Sequence, residues 1–423
     1  MRRWLRWSAA TLLVPLAAAA AQPAAHFTTW AAQHAVALPP CPPDSKQWEK
    51  VGAIVGSVDL VALGEPAHGA REPLALRNCL FRYLVEHHGF TAIALETGVS
   101  ESRALDDYVA GGSGDARQLA RDNFSWGFGR FAENVALLEW MRGYNADPAH
   151  ARKLHLYGID LSGGDKSGAW RNAAVTLRAS IAYLARVMPD QSQPVRKALA
   201  PFLDRFSAPG YAAMTTAERT RLRRAIAALI DFLDRHRVDD ADWAWAQRNA
   251  VNARQLERLF RVSPPPAASY DLSPDDYKAD IARDTAMAEN ALWASRREAP
   301  NGRLLLFAHD GHVMNAATRG GSWSAYRRAP AAMGVHLKAA LGARLLIVPI
   351  VSPADPDTDL DMALARTGRD RFLLDLRPVR RDGWLAGERS MRTNFTDELL
   401  VKPGIAFDAL IFLQRLTPGA IAH

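Results

Sequence analysis

A carboxylate and an imidazole stand three residues apart in Gly64-Glu65-Pro66-Ala67-His68-Gly69, and two imidazoles flank an acid in His309-Asp310-Gly311-His312. A carboxylate beside a histidine orients the ring and raises its basicity, which is what a general base needs. Glu65, Glu96, Asp160 and His309 share a further property: each follows an apolar run that reads as a strand, at 59–63, 91–95, 154–159 and 304–308. In open parallel sheets, ligands bind outside the carboxyl ends of the strands. Four strands far apart in sequence would therefore deliver Glu, Glu, Asp and His to one edge, with His68 and His312 close by. A single polar strand ending means little, since ordinary turns have them; together they point to a shared site.

The chemistry available to such a set is hydrolysis. Glu96 would be costly to bury charged without a cation, and Arg77, flanked by Leu76 and Leu80 on the next helix, is the candidate partner. No Gly-x-Ser-x-Gly elbow occurs, and Cys79 lies in a helical stretch without a clear histidine partner, so a serine or cysteine nucleophile is not supported. Attack by water is the economical route. His68 is then the base, oriented by Glu65 and Glu96. His309, helped by Asp310 or His312, polarises the carbonyl or protonates the leaving alkoxide, and Arg77 holds Glu96 or steadies the oxyanion. The two histidine sites can exchange roles. Two rival readings stay open: a metal-dependent hydrolase, because Glu65, His68, Glu96 and His309 also suit zinc or manganese, and a non-catalytic binder of a small molecule.

The elements that must position these residues alternate as strand, helix, strand, which indicates an α/β fold with a mainly parallel sheet and helices on its faces. The 70–88 stretch reads as a helix stopping at Gly89, and 133–144 as another. The pattern returns in C-terminal strands at 344–351, 372–376 and 409–414. Between them, about 170–299, lies a large helical insertion, expected to surround the cleft. Trp243, Trp245, Tyr270 and Tyr277 are its candidates for apolar substrate contact, although core packing is the commoner fate of an aromatic. Asp160 is a further substrate-binding candidate.

The first 22 residues read as a signal peptide: Arg2, Arg3 and Arg6, then an apolar stretch at 9–20 too short to span a bilayer comfortably. Residues 23–48, with Pro39, Pro40, Pro42 and Pro43, read as an irregular lead-in to one domain at 49–420. The expected location is periplasmic or secreted, where Cys41 and Cys79 can pair; a buried free Cys79 is the alternative. Of the 423 residues, 48% are hydrophobic and 23% charged, a globular balance that sets aside disorder. The net charge of +7 comes without a basic stripe interleaved with aromatics. The Arg219, Arg221, Arg223, Arg224 cluster has the spacing of a solvated helix face, which argues against nucleic acid as partner.

Taken in order, Leu63-Gly64-Glu65-Pro66-Ala67-His68-Gly69, the strand closing on Leu95-Glu96, Tyr157-Gly158-Ile159-Asp160, Arg283-Asp284-x-x-Met287-Ala288-x-Asn290 and Ala308-His309-Asp310-Gly311-His312-Val313 resemble the erythromycin esterase family. The similarity runs from about residue 50 to 415. The resemblance implies an α/β core with a large helical portion around a deep cleft, a small-molecule ester or lactone substrate, and hydrolysis of macrolide lactones without a bound metal or other cofactor. It places the equivalents of the family's functional residues at Glu65, His68, Arg77, Glu96, His309 and His312. Two departures stand out. The family commonly has Asn where this chain has Asp310, and its resistance enzymes act in the cytoplasm, whereas this chain carries an export signal.

Overall fold

Eleven strands form among the described residues: β1 (Val36–Ala37), β2 (Leu60–Glu65), β3 (Phe90–Gly98), β4 (His155–Asp160), β5 (Arg303–His309), β6 (Leu345–Val348), β7 (Ile350–Val351), β8 (Arg371–Asp375), β9 (Arg389–Thr393), β10 (Asp397–Val401) and β11 (Ala409–Leu413). The computed structural model describes residues 17–39, 41, 45–164, 170–263, 273–353 and 358–422. Five strands make a parallel sheet in the order β4-β3-β5-β2-β6. Both faces are covered, which explains the near-continuous apolar runs. Leu60 and Ala62 of β2 share one core layer with Met287, Ala291 and Leu337. Val61 and Leu63 share the opposite layer with Trp48, Leu80 and Leu84. The mixed α/β class read from the sequence is the one observed.

The helix after β2 spans Arg71–His88 and ends on Gly89 in the left-handed conformation (φ 69°), a common helix stop. The insertion contains the long helices Thr216–Arg235, Ala241–Val262 and Tyr277–Glu298. It has its own core around Leu222, Leu229, Leu256 and Phe260. Thr215 and Glu218 form a capping box that starts the first of these helices.

Two expectations need correction, and one element was not read from the sequence. Of the three C-terminal runs, the first extends the parallel sheet through β6, whereas those at 372–376 and 409–414 do not. β8 and β11 pair antiparallel in a second sheet ordered β1-β8-β11-β7, and the run at 344–351 is divided at Pro349 between the two sheets. The β9–β10 hairpin, with polar residues on much of its surface, had no apolar run to reveal it. Nor are the described residues of the lead-in at 23–48 mainly irregular. A helix at Ala17–His34 runs through its first part, with Phe27 and Ala31 buried, and Ser45–Val55 forms a second helix with Trp48 buried. Alanine favours helix strongly, and the Phe27 ring stacks 4.5 Å from that of Trp384. Cys41 and Cys79 are joined in a disulfide across 38 residues, a loop whose closure is worth about 4 kcal/mol in the chain-entropy picture.

Candidate active site

Glu65 and His309 end adjacent parallel strands and stand opposite each other in the register of β2 and β5. Glu96 lies next door on β3, where the pairing with β4 shifts between Leu95 and Gly98. Asp160 ends β4. Three strand endings and Glu96, two residues short of the end of β3, thus meet at one edge of the sheet. The turn after β2 needs both of its glycines: a side chain on Gly64 would collide with Asp310, and Gly69 has φ 74° with Phe131 against it.

Two histidine–carboxylate pairs face each other across Glu96. His68 Nδ1 lies 2.7 Å from Glu65 Oε1, and its Nε2 is 4.0 Å from Glu96 Oε1. His312 Nδ1 lies 2.5 Å from Asp284 Oδ1, and its Nε2 is 3.6 Å from the same Glu96 oxygen. His68 is the more open ring, with its side chain 35% exposed against 19% for His312. In each pair the carboxylate accepts the Nδ1 proton and turns Nε2 toward the centre.

Arg283, rather than Arg77, balances Glu96. Its Nη2 donates to Glu96 Oε1 at 2.9 Å and to Asp160 Oδ2 at 2.7 Å, and its Nε donates to Asp160 Oδ1 at 3.1 Å. Trp126 Nε1 and the Leu161 N–H take further positions on Asp160, which is fully buried. Asp160 therefore anchors the arginine and does not face a ligand. Trp126 holds this place from an uncommon positive φ of 60°, and the Arg283 guanidinium lies 5.4 Å over its ring. Arg77 is buried beneath the sheet edge, donating to Asn78 Oδ1 and lying 5.0 Å from the Phe307 ring centre.

These surroundings set opposite charge states. Burial alone would lift the Glu96 carboxyl, but His312, His68, Arg283 and the His309 N–H (2.9 Å to Oε2) hold it far below the usual carboxylate range. Burial disfavours charge on His312 too, yet Asp284 and Glu96 outweigh it and raise the ring to about 9. His68 is likewise raised, as Glu96 and Glu65 overcome its desolvation. His309 goes the other way: burial, then the neighbouring His68 and His312 cations, push it well below the ordinary imidazole value. Its Nδ1 accepts from the Gly311 N–H at 3.1 Å, which leaves the proton on Nε2 to donate to Thr393 Oγ1 at 2.7 Å. Both of its nitrogens are taken, so His309 is not placed to polarise a carbonyl. Asp310 orients neither histidine. It is fully buried behind Gly64 with neither carboxyl oxygen bonded to a side chain, and burial raises it well above the usual range.

Two of the aromatic candidates of the insertion, Trp243 and Trp245, are engaged elsewhere. Trp245 is buried against Tyr157 and Trp293, and Trp243 donates to Leu233 O at 3.1 Å. Tyr277 starts the helix that carries Arg283 and Asp284, and Tyr270 lies outside the described residues. The aromatic rings beside the site are Trp126 and Phe128, the latter 5.0 Å from His68. Arg283 and Asp284 were visible in sequence as a charged pair ahead of a small apolar stripe, Met287, Ala288 and Ala291; Thr393 and Trp126 gave no such signal.

A model of the erythromycin esterase family matches residues 85–416, a span that includes Glu96, Asp160, Arg283, Asp284, His309 and His312. Two Escherichia coli relatives are similar: erythromycin esterase type I, 33% identical over 118 residues, and type II, 23% identical over 282. The chain spans 28% and 62% of their lengths, and the alignments cover the same shares of this chain. Among solved structures, a Bacillus cereus protein superposes with a TM-score of 0.78 at 22% identity, covering 95% of this chain and 99% of that one. An erythromycin esterase mutant in its open conformation gives 0.67 at 19%, covering 92% and 98%. At these identities the superpositions show a common fold.

Proposed function

This chain belongs to the erythromycin esterase family, and we propose that it hydrolyses a carboxylic ester or macrolactone with a water activated by His68. The observation that carries this reading is the convergence of His68 Nε2 and His312 Nε2 on one oxygen of Glu96, at 4.0 and 3.6 Å. Two like units in unlike environments are the usual way to divide acid from base. His68, the more exposed ring, takes a proton from water at Nε2 while Glu65 holds Nδ1. The hydroxide adds to the carbonyl carbon. The imidazolium of His312 supports the oxyanion and gives its Nε2 proton to the alkoxide as the C–O bond breaks. Passing the proton from His68 to His312 restores both, so the net reaction is ester plus water to acid plus alcohol. Glu96 stays anionic throughout and holds both rings in line.

The geometry weighs against a metal at this centre because a cation already sits there. Arg283 Nη2 is 2.9 Å from Glu96 Oε1, and its Nη1 is 3.3 Å from His312 Nε2. Among the described residues no group of three or more His, Cys, Asp or Glu is arranged to hold an ion. Trp126 and Phe128 offer an apolar edge for the substrate, in place of the tryptophans of the insertion. We also read the protein as exported, with signal removal near residue 22 leaving the docked residues Phe27 and Ala31 in place. The Cys41–Cys79 disulfide suits an oxidising compartment, and N-terminal sequencing of the mature protein checks the cleavage. Among the described residues no helix is long and apolar enough to cross a membrane.

The test is mass spectrometry of erythromycin incubated with wild type and with His68→Gln. Gain of one water with wild type, lost by about 10³-fold or more in the variant, is the expected result, unaffected by chelator. No gain with erythromycin or a panel of other esters and lactones would remove esterase activity.

A further inference from the structure

Beside the Glu65–His68 pair is a cavity whose lining includes Glu65, Glu96, Arg77, Asn134, Phe128 and Phe131. Measured at the radius of a water molecule it holds about 20 Å³, room for one water. Its polar lining is incomplete in a particular way. Glu65 Oε1 is engaged by His68, while Oε2 is buried without a protein partner. Asn134 donates Nδ2 to Phe128 O at 2.8 Å, which fixes its amide, and its Oδ1 is also buried and unpartnered. Both residues are more than nine-tenths buried. Arg77 uses Nε and Nη2 on Asn78 Oδ1, at 3.0 and 2.7 Å, leaving Nη1 to donate elsewhere.

We propose that this cavity is a binding site for a single structural water, through which Arg77 acts as a positioning residue for the Glu65–His68 pair. The hydrogen-bond inventory closes on one molecule. Water has two donors, for the two orphaned acceptors Glu65 Oε2 and Asn134 Oδ1, and it accepts from Arg77 Nη1. An unpaired buried carboxylate oxygen costs roughly the desolvation of that group, which the water removes. Walls of phenylalanine keep the molecule in place and leave the linkage poorly screened. The site thus gives work to a buried guanidinium that does not reach Glu96. Burial lowers Arg77 to about 10, and Glu65 and Glu133 are the charges that offset it.

The consequence is electrostatic. A cation fixed behind Glu65 opposes protonation of His68, against the pull of Glu65 and Glu96 and alongside His312. Removing that cation raises the pH at which His68 titrates; retaining it as lysine does not. This inference rests on His68 being the base, but its test needs no substrate, so failure of erythromycin hydrolysis leaves it standing or falling separately. The experiment pairs a high-resolution crystal structure of the wild-type protein with NMR titration of the His68 ring in wild type, Arg77→Gln and Arg77→Lys. The expected result is one ordered water within hydrogen-bond distance of Glu65 Oε2, Asn134 Oδ1 and Arg77 Nη1. In Arg77→Gln the His68 titration moves up by about half a pH unit or more, and in Arg77→Lys it returns toward wild type. A cavity without ordered density overturns the proposal, whether or not Arg77→Gln folds. So does a folded Arg77→Gln protein whose His68 titrates as in wild type, since a purely structural arginine would change stability alone.

Discussion

The two histidine–carboxylate pairs use the same parts in different settings. Glu65 and His68 sit three residues apart on one strand-to-helix turn, held locally, with the ring open to the cleft. Asp284 and His312 are 28 residues apart on separate elements, and their ring is closed in by Arg283 and Glu96. The local pair is built by chain geometry and the distant one by tertiary packing. Exposure leaves His68 free to exchange its proton, whereas two carboxylates, working against burial, hold His312 as a cation to about pH 9. On the proposed mechanism, environment, more than residue type, divides base from acid.

The largest test of that division replaces each histidine. His68→Gln and His312→Gln should each lower kcat/KM for an alkyl ester by about 10³-fold, within the range for acid–base groups. They should part on an ester with a strongly acidic alcohol, whose leaving group needs no proton. There His312→Gln recovers most of the lost rate and His68→Gln does not. Equal losses on both esters would break the distinction.

The partner carboxylates sharpen it, with losses of about 10- to 100-fold and opposite limbs of the pH profile moved. Asp284→Asn removes the first of the groups that raise His312, so the acid loses its proton sooner and the alkaline limb moves to lower pH. Glu65→Gln removes support for the His68 cation, so the base stays free to lower pH and the acid limb moves down. If each substitution instead moves the other limb, the roles are reversed.

The smallest effect belongs to His309. Thr393→Val removes the acceptor of its Nε2 proton, and should cost about 1–3 kcal/mol of stability by thermal unfolding with kcat/KM changed less than threefold. A hundredfold loss of activity in a stable variant would put His309 in the chemistry.

What the sequence made legible follows the same line between local and distant. The strand endings at Glu65, Asp160 and His309 were readable because a buried parallel strand is an unbroken apolar run whose stop is conspicuous. Glu65 with His68 was readable because one turn holds both. The partner of Glu96 was not: Arg77 and Arg283 are each an arginine on an amphipathic helix, and only packing of the Tyr277–Glu298 helix over the sheet decides between them. Thr393 comes from a hairpin far along the chain, and Trp126 owes its place to a positive φ that residue type does not announce. The aromatics of the insertion misled for the opposite reason, since Trp245 is a core residue with ring partners of its own.

The most direct measurement is NMR titration of the His68, His309 and His312 rings in the free protein, assigned by single substitutions. The expected result is His312 charged up to about pH 9, His309 neutral across the whole range with its proton on Nε2, and His68 losing its proton below His312. A His312 ring already neutral at pH 7, or a His309 ring that charges before His68, would contradict the assignment of base and acid.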